Sequence, residues 1–259
     1  MTSNCSSTSQ PPWNGRFVWH DLVTKDPARA KTFYSALFGW HFESVPMGPC
    51  EYHMILAGPG PIGGIVENPE APVPHWMPYC AVPDVDAAAA RCTALGGQVH
   101  VPPTDIPETG RFAVIADPQG GCFSLYKGLP QSLGADPDAG IAGRVCWNEL
   151  LTTDPDAAAK FYGKLLGWVD RTEDMGPIGT YHLQMQGDTH AGGIMRAPSP
   201  QMPPAWLVYF LVDDLASSTQ KAKSLGAQAL MESTPIPGVG TFSLLVDPTG
   251  AHFALFKGQ

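Results

Sequence analysis

The chain has 259 residues, 44% hydrophobic and 15% charged, with a formal charge of −9. That length supports one large core or two ordinary ones, and the negative balance argues against nucleic acid or an anionic membrane surface as partner while suiting neutral or cationic small ligands. No apolar run approaches the roughly 20 residues of a membrane span, and the six cysteines show no CxxC or other metal-type spacing, so reduced thiols in a cytoplasmic protein are expected.

Residues 1–14 lack both a basic start and an apolar segment, and read as a disordered tail rather than a signal peptide. Residues 16–23 read as a strand. The stretch WHDLVTKDPARAKTFYSALFGW, from Trp19 to Trp40, returns 128 residues later as WNELLTTDPDAAAKFYGKLLGW, from Trp147 to Trp168, which decides for two cores. Each copy runs through an Asp-Pro turn into a helix. Asp26 and Asp154 can accept hydrogen bonds from the first free backbone N–H groups, and Pro27 and Pro155 sit where a missing N–H costs nothing. Ala30, Phe33, Tyr34 and Leu37, with Ala158, Phe161, Tyr162 and Leu165, form an apolar stripe at helical spacing that ends at Gly39 and Gly167.

Strand-like runs near 40–45, 51–57 and 61–66 complete one β-α-β-β-β unit. A second unit follows: a strand over 77–82, a helix from Asp84 through the alanine run to Leu95, and strands near 98–101, 112–116 and 122–126. Gly96-Gly97 ends its helix, and Asp117-Pro118-Gln119-Gly120 makes the turn before its last strand. Residues 130–143, rich in Gly, Pro, Ala and Asp, read as a linker. The order then begins again, with Tyr209 matching Tyr79, Asp214 matching Asp84, and Asp247-Pro248 matching Asp117-Pro118. The fold class expected is α+β: two tandem domains, over 15–129 and 144–259, each of two β-α-β-β-β units forming a curved, mostly antiparallel sheet around a hollow.

Three motifs in order, each occurring twice, give the chain a family likeness. They are the strand with Asp-Pro and the Phe33-Tyr34…Phe38-Gly39-Trp40 helix, Val82-Pro83-Asp84-Val85-Asp86 before an alanine-rich helix, and Asp117-Pro118-Gln119-Gly120 before a final strand. In this the chain resembles the vicinal oxygen chelate superfamily, which includes glyoxalase I, bleomycin-resistance proteins, extradiol dioxygenases and fosfomycin-resistance enzymes. Its Trp-x-(Asp/Glu)-Leu opening and tandem layout are similar to a bacterial subgroup that includes a mycobacterial antigen and proteins labelled hydroxylases or glyoxalases. In metal-dependent members the resemblance implies three or four His, Glu or Gln ligands facing the hollow, holding a divalent metal that chelates two substrate oxygens. The matching positions here are Trp19, Met77 and Ser124 in the first domain and Trp147, Leu207 and Ala254 in the second, with the remaining one at or beside Gly63-Gly64 and Gly192-Gly193. None of these suits a hard or borderline cation, so no metal or other cofactor is expected.

If those positions face inward, strand alternation turns Asp21, Tyr79, Cys122, Glu149, Tyr209 and His252 inward as well. In the hairpin strands the more polar alternation points His53, Ile55, His182 and Gln184 inward and leaves Tyr52, Met54, Tyr181 and Leu183 for the helix side. Two largely apolar pockets result, each with a carboxylate and one or two histidines, as a small-molecule site requires. Asp21 and Glu149 are the candidate general bases, with His as acid, unless they only bond neighbouring backbone or arginine. Trp19 and Trp147 either pack or stack on a ligand. His20, whose counterpart is Asn148, reads as a core or edge histidine, and Trp40 and Trp168 close each helix on its sheet.

The function expected is that of a monomer or homodimer, without cofactor, binding a small aromatic or carbonyl-containing molecule and able to transform it. Two alternatives remain open. One is a resistance protein that sequesters a cationic drug; the other is a metal-dependent lyase or dioxygenase with an off-register site made of Glu149, His182 and His252.

Overall fold

The structure, a computed structural model, describes residues 14–47, 50–129, 140–176 and 179–259. The tail expected over 1–14 thus lies outside the described residues except for Asn14, and the linker expected over 130–143 does so except for its last four residues. The first half runs β1 (Phe17–Thr24), α1 (Pro27–Phe38), β2 (His41–Met47), β3 (Cys50–Ala57), β4 (Gly60–Glu67), β5 (His75–Ala81), α2 (Val85–Ala94), β6 (Gln98–Ile106), β7 (Gly110–Ala116) and β8 (Cys122–Gly128). The second repeats it: β9 (Val145–Thr152), α3 (Pro155–Leu166), β10 (Val169–Asp174), β11 (Thr180–Gln186), β12 (Thr189–Arg196), β13 (Ala205–Leu211), α4 (Leu215–Ser224), β14 (Gln228–Ile236), β15 (Gly240–Val246) and β16 (His252–Gly258). Among the described residues no helix is long and apolar enough to cross a membrane.

The helix boundaries follow from local chemistry. Asp26 accepts the Arg29 N–H at 2.9 Å and Asp154 the Ala157 N–H at 3.1 Å, with proline as the first helical residue in both cases. Gly39 (φ 73°) and Gly167 (φ 79°) end the helices in the left-handed conformation that a side chain disfavours.

Each half forms one eight-stranded sheet, in the order β2-β3-β4-β1-β5-β8-β7-β6 and its repeat β10-β11-β12-β9-β13-β16-β15-β14. The first strand of each half is central: β1 lies parallel to β4 and antiparallel to β5, and β9 parallel to β12 and antiparallel to β13. Apart from the β1–β4 and β5–β8 pairs and their repeats, neighbouring strands are antiparallel. The result is the mostly antiparallel, two-domain α+β architecture expected from the repeat.

Two principal cores form among the described residues, and neither belongs to one domain. One combines Val85, Ala88, Cys92 and Phe123 of the second unit with Phe161, Tyr162, Leu165 and Trp168 of the third. The other combines Leu22, Phe33, Tyr34 and Trp40 of the first unit with Phe210, Leu245 and Phe253 of the fourth. A single helix covers too little of its sheet, so each helical face is completed by the other domain.

Polar groups close these seams. Tyr34 and Tyr162, both fully buried, donate their hydroxyls across the interface to Asp247 and Asp117 at 2.9 Å, while accepting Trp76 and Trp206 Nε1 at 3.1 and 3.2 Å. Trp40 Nε1 donates to the Gly143 carbonyl at 2.8 Å and Trp168 Nε1 to the Gly15 carbonyl at 2.7 Å. These tryptophans therefore tie one domain's helix end to the start of the other domain, beyond the expected role of closing helix on sheet. His20 meets Asn148, its own repeat counterpart, at 2.8 Å.

Candidate functional site in the two hollows

On the inner face of the first sheet, strand register brings Asp21 of β1 opposite Met77 and Gly64, Trp19 opposite Tyr79, and Tyr79 beside Ser124. Asp21 is 4% exposed and saturated with donors. Oδ1 accepts Trp19 Nε1 at 2.9 Å and the Tyr52 hydroxyl at 2.7 Å, and Oδ2 accepts the Tyr79 hydroxyl at 2.8 Å. The Gly64 backbone adds a further hydrogen bond. Trp19 Nε1 also donates to Tyr52 Oη at 2.7 Å, and Phe112 and Tyr126 pack against the Tyr79 ring. Ser124 Oγ is buried without a hydrogen bond of good geometry, although it lies near enough to the Tyr79 hydroxyl to act on it.

Burial pushes the Asp21 carboxyl up from its ordinary pKa, and the hydrogen bonds from Tyr52, Tyr79 and Trp19 oppose that rise. Burial, and then the Asp21 charge, holds the Tyr52 and Tyr79 phenols well above 10. The tyrosines stay protonated as donors, and the cluster shares one proton-accepting carboxylate.

The second hollow repeats this plan with one methylene more. Glu149, 7% exposed, accepts the Tyr209 hydroxyl at 2.8 Å and bonds Tyr181. Trp147 Nε1 reaches the Tyr181 hydroxyl at 2.9 Å instead of the carboxylate. Leu207, Tyr209 and Ala254 form an apolar cluster with Phe242 and Phe256 packed on it. Burial again raises the Glu149 carboxyl above its ordinary range, against the pull of Tyr209 and Tyr181.

Gly64 and Gly193 explain how the tyrosines fit. A Cβ on Gly64 would overlap the Tyr52 hydroxyl, and one on Gly193 the Tyr181 hydroxyl. Each glycine removes a side chain so that a phenol from the neighbouring strand can lie over it.

The structure thus brings together Trp19, Asp21, Met77, Tyr79 and Ser124 in one hollow and Trp147, Glu149 and Tyr209 in the other. Four sequence-predicted residues lie elsewhere. His53 bonds Ser44 of β2 at 2.9 Å, and its neighbour Ile55 is buried in the core beside Leu22 and Phe33 of the helix side. His182 sits between Asp170 of β10 at 2.9 Å and Asp156 of α3 at 3.6 Å. Gln184 Nε2 donates to the same Asp170 at 2.6 Å. His252, exposed, stands at the start of β16 opposite Val246. The hairpin alternation is the reverse of that expected, because the edge strand and the helix supply polar partners on the outer face while the carboxylate draws the phenols inward. Tyr52 and Tyr181, assigned by sequence to the helix side, complete the hollows. Their recurrence beside the repeated Gly-Gly pairs was the signal available for them.

The off-register set Glu149, His182 and His252 is not assembled, since His182 occupies the outer face. Among the described residues no three His, Cys, Asp or Glu side chains gather as a metal-holding group.

Comparison with known proteins follows the same division between fold and site. Residues 16–123 match the family model of the Glyoxalase/Bleomycin resistance protein/Dioxygenase superfamily, and residues 144–256 match that of the Glyoxalase-like domain. The chain belongs to this superfamily. Mycobacterium tuberculosis CFP32, provisionally named a glyoxylase, is 38% identical over 245 residues, covering 92% of this chain and 93% of that protein. The anthracycline biosynthesis protein DnrV of Streptomyces peucetius is 30% identical over 265 residues, covering 94% of this chain and 93% of its own. Among solved structures, the Mn(II)-bound glyoxalase from Novosphingobium aromaticivorans shares the fold at TM-score 0.64 with 18% identity, covering 94% of this chain and 82% of that one. The 2,3-dioxygenase LapB from Pseudomonas sp. KL28 does so at TM-score 0.66 with 14% identity, covering 94% of this chain and 92% of that one.

A divalent ion such as the Mn(II) of that glyoxalase does not fit the residues present here. Such an ion needs several N or O donors. Among the described residues the first hollow offers a single carboxylate, whose oxygens already accept bonds from Trp19, Tyr52 and Tyr79, and the space above Gly64 is taken by a phenol.

Proposed function

We propose that the protein is a metal-independent member of the superfamily that binds a small, oxygen-bearing aromatic molecule in its hollows and moves protons there by acid–base chemistry. The observation that carries this reading is the buried carboxylate enclosed by Tyr52, Tyr79 and Trp19. A carboxylate that is 4% exposed cannot itself reach a ligand proton, and a general base must lie within hydrogen-bond distance of the proton it takes. Tyr79 therefore serves as the contact group, giving its proton to Asp21 as it accepts one from the ligand. In the second hollow Tyr181, partly exposed where Tyr209 is 4% exposed, does the same with Glu149. Half-buried Trp19 and Trp147 supply faces on which a planar ligand stacks.

The aromatic walls and the relationship to a protein named for anthracycline biosynthesis support a planar, hydroxylated ring system as ligand class. Free thiols at Cys80, Cys92, Cys122 and Cys146 support a reducing, cytoplasmic setting.

The test titrates 1,4-dihydroxyanthraquinone into the full chain, following quenching of tryptophan fluorescence before and after dialysis against a chelator. Binding should survive chelation and fall at least tenfold when Trp19→Ala and Trp147→Ala are combined. Metal analysis of freshly purified protein should find less than about a tenth of an equivalent. Near-stoichiometric metal whose removal abolishes binding would reject the proposal.

A further inference from the structure

Outside the hollows, the two domains meet around a cavity of about 410 Å³. The His20–Asn148 pair lines it, each residue facing its own repeat equivalent at 2.8 Å. Burial brings the His20 pKa down to about 4, so the imidazole is neutral and donates Nε2–H to Asn148 Oδ1.

Arg144 forms another wall. It is 5% exposed, and its Nη1 donates to the Ala57 carbonyl at 3.1 Å. Among the described residues no carboxylate lies within 4.0 Å of its nitrogens. A guanidinium carries five donors, and a buried cation without a counter-ion is strongly unfavourable. None of its nitrogens is both fully enclosed and unpaired, and the residue lines the cavity. Arg16, the repeat equivalent of Arg144, lines the same cavity, as do the apolar side chains of Phe17, Ile62 and Val145.

We propose that this interdomain cavity binds a small organic monoanion, with a carboxylate on Arg144 and an apolar body against Phe17, Ile62 and Val145. The volume is in the range of small-molecule sites. Asp188 also lines the cavity and disfavours a ligand that carries further negative charge. A chain of formal charge −9 repels anions at long range, so binding rests on the local guanidinium, for which the anions of added salt compete. The site borders the second hollow, whose Trp147 also lines it.

The experiment titrates benzoate into the full chain by calorimetry, with benzamide as the uncharged isostere, at low and high salt. One benzoate should bind per chain, at least tenfold tighter than benzamide, and more weakly as salt is added. Arg144→Met keeps apolar bulk without the charge and should weaken benzoate at least tenfold. Thr189→Trp places a ring on the cavity wall with the arginine intact. It should have the same effect, and it carries the test if Arg144→Met does not fold. Asp21→Asn and Glu149→Gln should leave benzoate affinity unchanged while altering the hollows. Equal affinity for benzoate and benzamide would overturn the proposal. So would the absence of heat at millimolar benzoate, full affinity in a folded cavity variant, or loss of benzoate binding in the Asp21→Asn or Glu149→Gln proteins.

Discussion

Replacing Tyr52 with Phe isolates the hydrogen bond that fills the hollow. In the wild type the Tyr52 hydroxyl donates to Asp21 at 2.7 Å and accepts Trp19 Nε1 at 2.7 Å, while Trp19 also reaches Asp21 directly at 2.9 Å. Tyr52→Phe therefore orphans no donor, and its cost is the bond to the carboxylate. With Asp21 ionised that bond is worth about 1.5–3 kcal/mol; with Asp21 protonated it falls to about 0.5–1.5 kcal/mol, the range of a neutral pair.

The sign follows from Asp21's raised pKa. The folded pKa lies above the unfolded value of 3.8, so ionising Asp21 costs stability as pH rises from 3.8 through the folded pKa. Tyr52 reduces that cost, and its removal raises the folded pKa further. The difference between wild type and variant is thus full above both folded pKa values and shrinks as pH falls through them. Urea unfolding near pH 7 and near pH 3, compared at equal m, reads both values. A loss below about 0.5 kcal/mol near neutrality, under even the range for a neutral hydrogen bond, would refute the reasoning; so would a loss that does not change with pH.

Further expectations concern the rest of the frame. Tyr162→Phe removes a donor from Asp117 and leaves buried Trp206 Nε1 without its acceptor, so it should cost about 2–4 kcal/mol in denaturant unfolding. Because both cores are shared between domains, the loss should appear in a single transition. His20 has a folded pKa of about 4 against 6.5 unfolded. The unfolded chain binds the extra proton between these values, so stability should fall by about 3 kcal/mol as pH drops from 6.5 to 4. His20→Asn keeps a partner for Asn148 and should flatten that part of the profile. Gly64→Ala forces the Tyr52 hydroxyl aside. It should cost about 1–3 kcal/mol as an overpacked site and weaken anthraquinone quenching of Trp19 fluorescence.

The legible parts were those whose causes are local. Asp26 and Asp154 cap helices because their carboxylates reach backbone N–H groups three residues on, and Gly39 and Gly167 end them because only glycine takes that φ freely. Asp21 and Tyr79 could be turned inward from the alternation of β1 and β5. The hairpins defeated the same method: polar residues were set inward, yet His182 found Asp156 on α3 and Asp170 on the edge strand, and Tyr181 took the inner place. Alternation fixes which residues share a face but not which face is wet. Nothing in the sequence near β3 records that an outer strand and a helix will offer carboxylates or hydroxyls.

By itself the sequence determined four β-α-β-β-β units, each from spacing within a few tens of residues, and their duplication, from the recurrence at 128 residues. Tertiary structure alone decided which unit completes which core and joined His20 to Asn148. It also turned Tyr52 onto Asp21 and left Arg144 at an interdomain cavity. Those pairings join residues from 31 positions apart, in Tyr52 and Asp21, to 213, in Tyr34 and Asp247, and a helix that covers half a sheet is satisfied by any apolar surface that fits. Only the packed chain selects one.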